Sequence, residues 1–310
     1  VGSPIKELNL IASIKALAAR APGPSGRVLT GIGDDTAVLE TARGPLLFAA
    51  DMLLEGVHFR LQDTQPELVG RKALAVNLSD IAAMAGTPIA VTVSLAVPSG
   101  IDPVIPLRIM QGLSDLAREY DVAVCGGDTN VWNHSLVIDV AVIGEAPPQG
   151  AVLRSGARAG DEIFVTGPLG GTILGKHLNF TPRLREAAWL RAHYPVSAMI
   201  DLSDGLATDL RHLLSASGVG AVLFRDRIPV NSDPSGTPYT LEQAICGGED
   251  FELCFTVNSA AADKIRQDES WPGARPVHIG RITQDSGLRF EDGTVIDLKG
   301  YEHGAKDSDV

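Results

Sequence analysis

The sequence predicts an α/β (α+β) fold made of two mixed domains, and three observations carry that prediction. The chain has 310 residues, room for two domains of ordinary size, and its 45% hydrophobic and 21% charged content is the balance of a globular protein. Apolar runs of strand length alternate with helical patterns from one end to the other. Near the middle, "APPQGAVLRSGARAGD" (146–161) is rich in Pro, Gly and Ala and reads as a junction, dividing the chain into 1–148 and 149–310.

The elements follow in order. Residues 5–20 read as an amphipathic helix, and "PLLFAAD" (45–51) as a short buried strand ending at Asp51. "TQPELVGRKALAVNLSDIAAMAG" (64–86) predicts a helix: Thr64 and Glu67 match a capping box, Pro66 suits the first turn, and Gly86 followed by Pro88 stops it. "IAVTVSLAVP" (89–98) is rich in β-branched residues and predicts a strand. In 107–120, Ile109, Leu113, Leu116 and Tyr120 share one side of a helix. "VAVCGGD" (122–128) predicts a strand running into a glycine turn, and "SLVIDVAVIGE" (135–145) another strand. In the second half, "EIFVTG" (162–167) opens as a strand, helices are expected near 183–193 and 204–216, and strands near 219–225, 251–257 and 276–283.

The totals exclude several classes. A net charge of −12 argues against a general nucleic-acid surface and suits a metal or a metal-bound anion. Cys125, Cys246 and Cys254 form no CxxC pair, which argues against a zinc ribbon or a redox dithiol, and so sparse a count suits the reducing cytoplasm. The first residues lack the apolar core of a signal peptide, and no apolar run reaches the roughly 20 residues that a membrane span needs.

The acids carry the chemistry. Asp34 and Asp35 follow the glycines of "GIGDD", Asp51 and Asp128 end apolar runs, and Asp201 and Asp204 lie in "MIDLSDGLATDL". Asp80 sits in a helix on the face of Asn77 and Met84, in apolar company. Taken singly, each is equally a turn former or a cap, and Ser203 with Asp204 could simply cap the helix that follows. Gathered in space, they would raise one another's pKa unless cations compensated them, and Mg²⁺ binds through a few carboxylates, waters and substrate phosphates. "GGTILGKH" (170–177) nearly spells a P-loop, but His177 stands where the Mg²⁺-binding hydroxyl belongs, so its glycines are assigned to a tight turn or close packing. In "EGVHF" (55–59), His58 lies between Val57 and Phe59 and reads as a packed residue as readily as a functional one. Glu249, Asp250 and Glu252 in "GGEDFELCF" could cap, bind a cation or meet a cationic substrate.

The blocks "GIGDDTAVL", "DMLLEGVHF", "RKALAVNLSDIAAMAGTP", "CGGDTN", "LRSGARAGD", "IDLSDGLATDL", "GGEDFEL" and "GYEHG", in this order, resemble the thiamine-monophosphate kinase family of the aminoimidazole ribonucleotide synthetase-like superfamily. The resemblance runs from about residue 31 to 304; "GIGDD" is shared across the superfamily, and "EGVHF" joined to "NLSDIAAMAG", "GGDT" and "SDGL" is particular to the kinases. It implies two α/β domains of that type, with 1–148 as the ATP- and Mg²⁺-binding domain that pairs in a homodimer to build a β-barrel, and 149–310 as a C-terminal α/β domain. It implies direct in-line transfer from ATP to thiamine phosphate. Position by position, it makes Asp34, Asp35, Asp51, Asp80, Asp128, Asp201 and Asp204 metal ligands, and Gly127, Asp128, Arg154 and Ser203 nucleotide contacts. His58, Glu252 and Tyr301 become substrate contacts. No general base is implied. The chain departs from the family at Ala49 and Ala50, where hydroxyl residues are common, so Ala50 would reach a metal only through its carbonyl or a water. Where the family has an aromatic near the nucleotide, Met110 is the candidate to pack the base. The alternatives left open are another ATP-dependent synthetase or kinase of the superfamily, and a non-catalytic divalent-cation-binding protein.

Overall fold

The computed structural model describes residues 27–297 together with Ile11, Ser13 and Lys15, which are helical. Most of the helix expected over 5–20 lies outside the described residues, as do Tyr301 and "GYEHG".

The first half builds one six-stranded sheet from β1 (Val28–Thr30), β2 (Ala37–Leu39), β3 (Leu46–Leu54), β4 (Thr87–Pro98), β5 (Ala123–Trp132) and β6 (Val137–Glu145), in the order β1-β2-β3-β6-β4-β5. β6 pairs antiparallel with both β3 and β4. β5 pairs parallel with β4, which needs a crossover, and helix α2 (Val104–Glu119) supplies it. Helix α1 (Pro66–Ala83) joins β3 to β4.

α1 is the centre of the molecule. Every residue from 72 to 79 is buried, the mark of a helix covered on all sides. It packs on α2 and on the sheet, and also on elements of the second half. The α1–α2 contact is very close because each helix presents a glycine to the other's backbone. A Cβ on Gly70 would lie 1.8 Å from the Ile109 carbonyl oxygen, and one on Gly112 would lie 1.9 Å from that of Glu67. The expected capping box is absent. Pro66 takes the first helical position, so the N-cap is Gln65, one residue past Thr64, and Glu67 turns instead to Arg108 at 2.6 and 2.8 Å.

The second half builds another six-stranded sheet from β7 (Glu162–Val165), β8 (Val196–Asp201), β9 (Gly220–Leu223), β10 (Leu253–Val257), β11 (Val277–Thr283) and β12 (Gly287–Phe290), in the order β12-β9-β11-β7-β10-β8. Its helices are α3 (Leu184–His193), α4 (Leu206–Ser217), α5 (Leu241–Cys246) and α6 (Ser259–Gln267). The period of two along β7 separates its two faces. Phe164 joins a core that runs through α1 into the first half, and Val165 joins a second core with Ile200, Leu210 and Leu213. "GGTILGKH" folds as two short 3-10 turns, Thr172–Leu174 and Lys176–Leu178, and not as the strand–loop–helix of a P-loop.

The outer face of the first sheet is apolar and open. Phe48, Met52, Ile89 and Ile143 are exposed there, and every residue of the edge strand β5 is exposed.

Candidate active site

Three carboxylates converge from distant parts of the chain. Asp35 comes from the turn between β1 and β2, Asp80 from the last turn of α1, and Asp201 from the end of β8; each offers an oxygen within 4.8 Å of the other two. Local sequence explains each placement. Gly33, at φ +129°, takes a backbone conformation that favours glycine just before the paired acids. Asp80 lies seven residues from Ala73, on a helix whose other side is core. Asp201 leaves β8 into "LSDG", where Gly205 at φ +104° begins α4 against the backbone of Cys246 and Gly247.

The electrostatics are those of a cation site. Burial and then the Asp35 charge push Asp201 up to about 8, against the pull of the Ser79 hydroxyl, which donates to it at 2.6 Å. Burial, followed by Asp51 and Asp201, holds Asp80 well above the usual carboxylate range. Asp51 is pushed to about 6 by burial and then Asp139, and Asp34 to about 6 by burial and then Asp35. Arg154, from the junction between the halves, donates from its guanidinium to Asp35 at 2.7 Å, and its amide donates to Asp34. Burial opposes the charge on Arg154, but Asp35 and its neighbours hold its pKa above the ordinary value. One guanidinium against this many acids leaves negative charge over. The buried Asp35 Oδ2 and the neighbouring Thr36 hydroxyl have no hydrogen-bond partner. An oxygen-only set with an orphaned carboxylate oxygen fits a hard divalent cation such as Mg²⁺.

The remaining sequence-derived residues are placed as follows. Asp204 and Gly205 donate their amides to Asp209, which is buried and whose pKa burial raises well above the usual range; the turn is thus held by Asp209 and not by caps from Ser203 or Asp204. The Ser203 carbonyl accepts the Glu249 amide at 2.6 Å. His58 Nδ1 accepts the Leu54 amide at 3.0 Å, which leaves the ring proton on Nε2. Beside its turn opens a cavity of about 290 Å³ lined by Glu55, Gly56, Arg60, Gln62 and Ser135. Glu252 is buried, and its carboxylate faces protein donors: Thr166 at 2.7 Å and the Arg183 guanidinium at 2.6 and 2.7 Å. Met110 is half-buried on α2. Ala50 stands exposed on β3 opposite Ala141 and has no side-chain donor to give.

Asp128 is not brought to the cluster. It lies within β5, not at its end, paired with Ser94, which in turn pairs with Asp139 opposite Met52; this row faces outward. Gly127 has a structural reason of its own, since a Cβ there would lie 1.8 Å from the Val93 carbonyl oxygen. Sequence reasoning missed Asp139, Asp209 and Lys72. The signal that could have found Lys72 is a lone cation inside the otherwise apolar run "KALAVNL".

The chain matches the AIR synthase related protein family, its N-terminal domain over residues 33–146 and its C-terminal domain over 158–293. It is 37% identical over 305 residues to the thiamine-monophosphate kinase of Rhodopirellula baltica, covering 91% of this chain and 93% of that one. It is 34% identical to the thiamine-monophosphate kinase of Bacillus subtilis, covering 88% and 93% of the two chains. Among solved structures it resembles AaThiL complexed with AMPPCP and TMP, with a TM-score of 0.82, 30% identity, and coverage of 96% of this chain and 97% of that one.

Proposed function

From its membership of the thiamine-monophosphate kinase family, to which the chain belongs, we propose that its acid cluster serves transfer of the γ-phosphoryl group of ATP to thiamine phosphate, giving ADP and thiamine diphosphate. The observation that carries this reading is the meeting of Asp35, Asp80 and Asp201, whose combined charge a divalent cation would compensate. Asp34, Asp35, Asp51, Asp80, Asp201 and Asp204 would hold Mg²⁺, which when bound offsets phosphate charge and brings donor and acceptor phosphates together. ATP as co-substrate is supported by the AMPPCP complex of AaThiL.

The chain's own residues account for the rest. Arg154 stands at the rim of the acids and offsets phosphate charge. Gly127, Asp128, Ser203 and Met110 are the nucleotide-side candidates. His58 presents a turn beside the cavity of about 290 Å³, and we assign the acceptor substrate to that side. The thiamine phosphate oxygen is a serviceable nucleophile at neutral pH, because a phosphate monoester has its second pKa near 6, so no general base is required. Alignment and charge neutralisation do most of the work in phosphoryl transfer. Glu252, already paired with Arg183, shapes its surroundings through that guanidinium, and Tyr301 remains a candidate on the substrate side.

We take the working form to be a homodimer whose first domains, 1–148, meet through the open apolar face around Phe48 and β5, with 149–310 as the second domain. We assign it to the cytoplasm. All three cysteines are free, and no helix among the described residues is long and apolar enough to cross a membrane.

Purified protein incubated with Mg²⁺, ATP and thiamine phosphate is expected to release thiamine diphosphate and ADP in equal amounts. Folded protein that forms no thiamine diphosphate would overturn the reading. Stabilisation by Mg²⁺ that ATP does not increase would favour a cation-binding protein instead. Asp128→Asn, on the proposed nucleotide side but outside the acid cluster, is expected to lower turnover in the same assay while the protein stays folded; unchanged turnover would remove Asp128 from the nucleotide side.

A further inference from the structure

Outside the acid cluster, the structure holds a second charged constellation that the reaction as described does not use. Lys72 lies in the middle of α1 with its side chain fully buried. Its ammonium donates to the His58 carbonyl at 2.9 Å and to Glu249 Oε1 at 2.5 Å, and His177 Nδ1 lies 2.8 Å away. His177 Nδ1 also lies 2.7 Å from Glu249 Oε2, so the ring bridges the ammonium and the carboxylate and closes a three-membered cluster. A buried ammonium is tolerated only when paired and fully hydrogen-bonded, and the cost of desolvating it makes the arrangement all or none.

What these partners belong to gives the constellation its meaning. His58 lies in the turn beside the 290 Å³ cavity, in the first half. Glu249 and His177 belong to the second half. Glu249 adopts a left-handed backbone, φ +64°, unusual for a residue with a side chain. In that conformation its amide reaches the Ser203 carbonyl at 2.6 Å, and the Phe251 amide reaches the Leu202 carbonyl at 2.8 Å. The backbone of "GGEDF" thus grips the turn that carries Ser203 and Asp204, while the Glu249 carboxylate is gripped by Lys72. An unbroken chain of contacts runs from the His58 turn through Lys72 and Glu249 to the Ser203 turn.

We propose that Lys72 and Glu249 form a positioning pair that sets the acceptor-side turn of His58 against the nucleotide-side turn of Ser203 and Asp204. The pair touches neither substrate in this arrangement; it fixes the distance between the two turns that hold them. Transfer in line depends on that distance, and a misplacement of about 1 Å costs on the order of 100-fold in rate. The strained backbone at Glu249 is kept because the ion pair and the Ser203 bond both require it. This inference rests on the kinase reading for its kinetic consequence, but not for its structural one.

Lys72→Met removes the donors at nearly constant volume, Glu249→Gln keeps the shape and an acceptor oxygen but not the charge, and the double variant leaves no buried charge unpaired. Two measurements separate the proposal from the kinase reading. In hydrogen exchange, Lys72→Met and the double variant are expected to lose protection together at 55–59 and at 203–205, while β7 and β10 stay protected. In the wild-type assay conditions, the double variant is expected to lose about 10- to 100-fold in kcat with the KM for Mg·ATP changed less than about threefold, and Glu249→Gln to fall between. Unchanged exchange at either turn would overturn the pairing even if the wild-type protein proves inactive. A folded double variant with wild-type kcat would overturn the positioning role. If the double variant does not fold, wild-type kcat in Glu249→Gln has the same force.

Discussion

Asp80 shows how one residue carries opposite consequences for folding and for function. Its carboxylate is held well above the usual range by burial and by Asp51 and Asp201, so its charge opposes the metal-free fold. Asp80→Asn is therefore expected to raise the metal-free melting midpoint by a few degrees and to remove at least about 100-fold of activity, with thermal melts and the coupled assay as the two measurements. The same logic gives a pH dependence. Asp34, Asp51 and Asp201 have folded pKa values of about 6, 6 and 8, above the 3.8 of an unperturbed aspartate. A raised carboxylate favours the fold fully below the unfolded value and loses that contribution as pH climbs through the folded one. Metal-free protein is thus expected to lose stability between about pH 4 and pH 8 on their account. A saturating Mg²⁺ concentration should raise the midpoint more at pH 8 than at pH 5, and equal shifts at both would contradict the assignment.

At the scale of elements, the sequence made some features legible and hid others for physical reasons. The helix over 64–86 and the strands over 89–98 and 135–145 were readable because long, regular patterns dominate local noise, and the structure differs from them mainly at the ends. β1 and β2 have three residues each, too few for a period to declare itself. α5, α6 and β12 went unnoticed because each is short and mostly polar or small. In the site, Asp35, Asp80 and Asp201 were legible as acids in apolar or glycine settings. Lys72 and Asp209 were not, since a single charge within a helix reads as a solvated face until its burial is known. The α1–α2 contact was equally invisible, because Gly70 and Gly112 look like weak helix positions. Gly112→Ala adds only a methyl group, yet it would press on the Glu67 backbone, so a loss of about 1–3 kcal/mol or more in denaturant melts is expected.

For the whole molecule, the proposed dimer rests on the open face of the first sheet. A parallel-paired edge strand with all its residues exposed, beside Phe48, Met52 and Ile143, is a surface that soluble proteins cover. Sedimentation is expected to give a dimer, and Phe48→Asp, in the middle of that face, a monomer; a wild-type monomer at micromolar concentration would refute the assembly. The two halves are also less separable than the junction at 146–161 suggests, because one core passes through α1 into both.

The acid cluster draws Asp35 and Asp80 from before that junction and Asp201 from after it, with Arg154 in the junction itself. Cleavage at residue 148 would part Asp201 from Asp35 and Asp80. Mixed together, the two pieces would reunite the three acids only on docking, so recovery of metal-dependent turnover becomes a gauge of reassembly. If the cluster holds the metal as proposed, the site is a two-key lock whose keys are the halves of one chain.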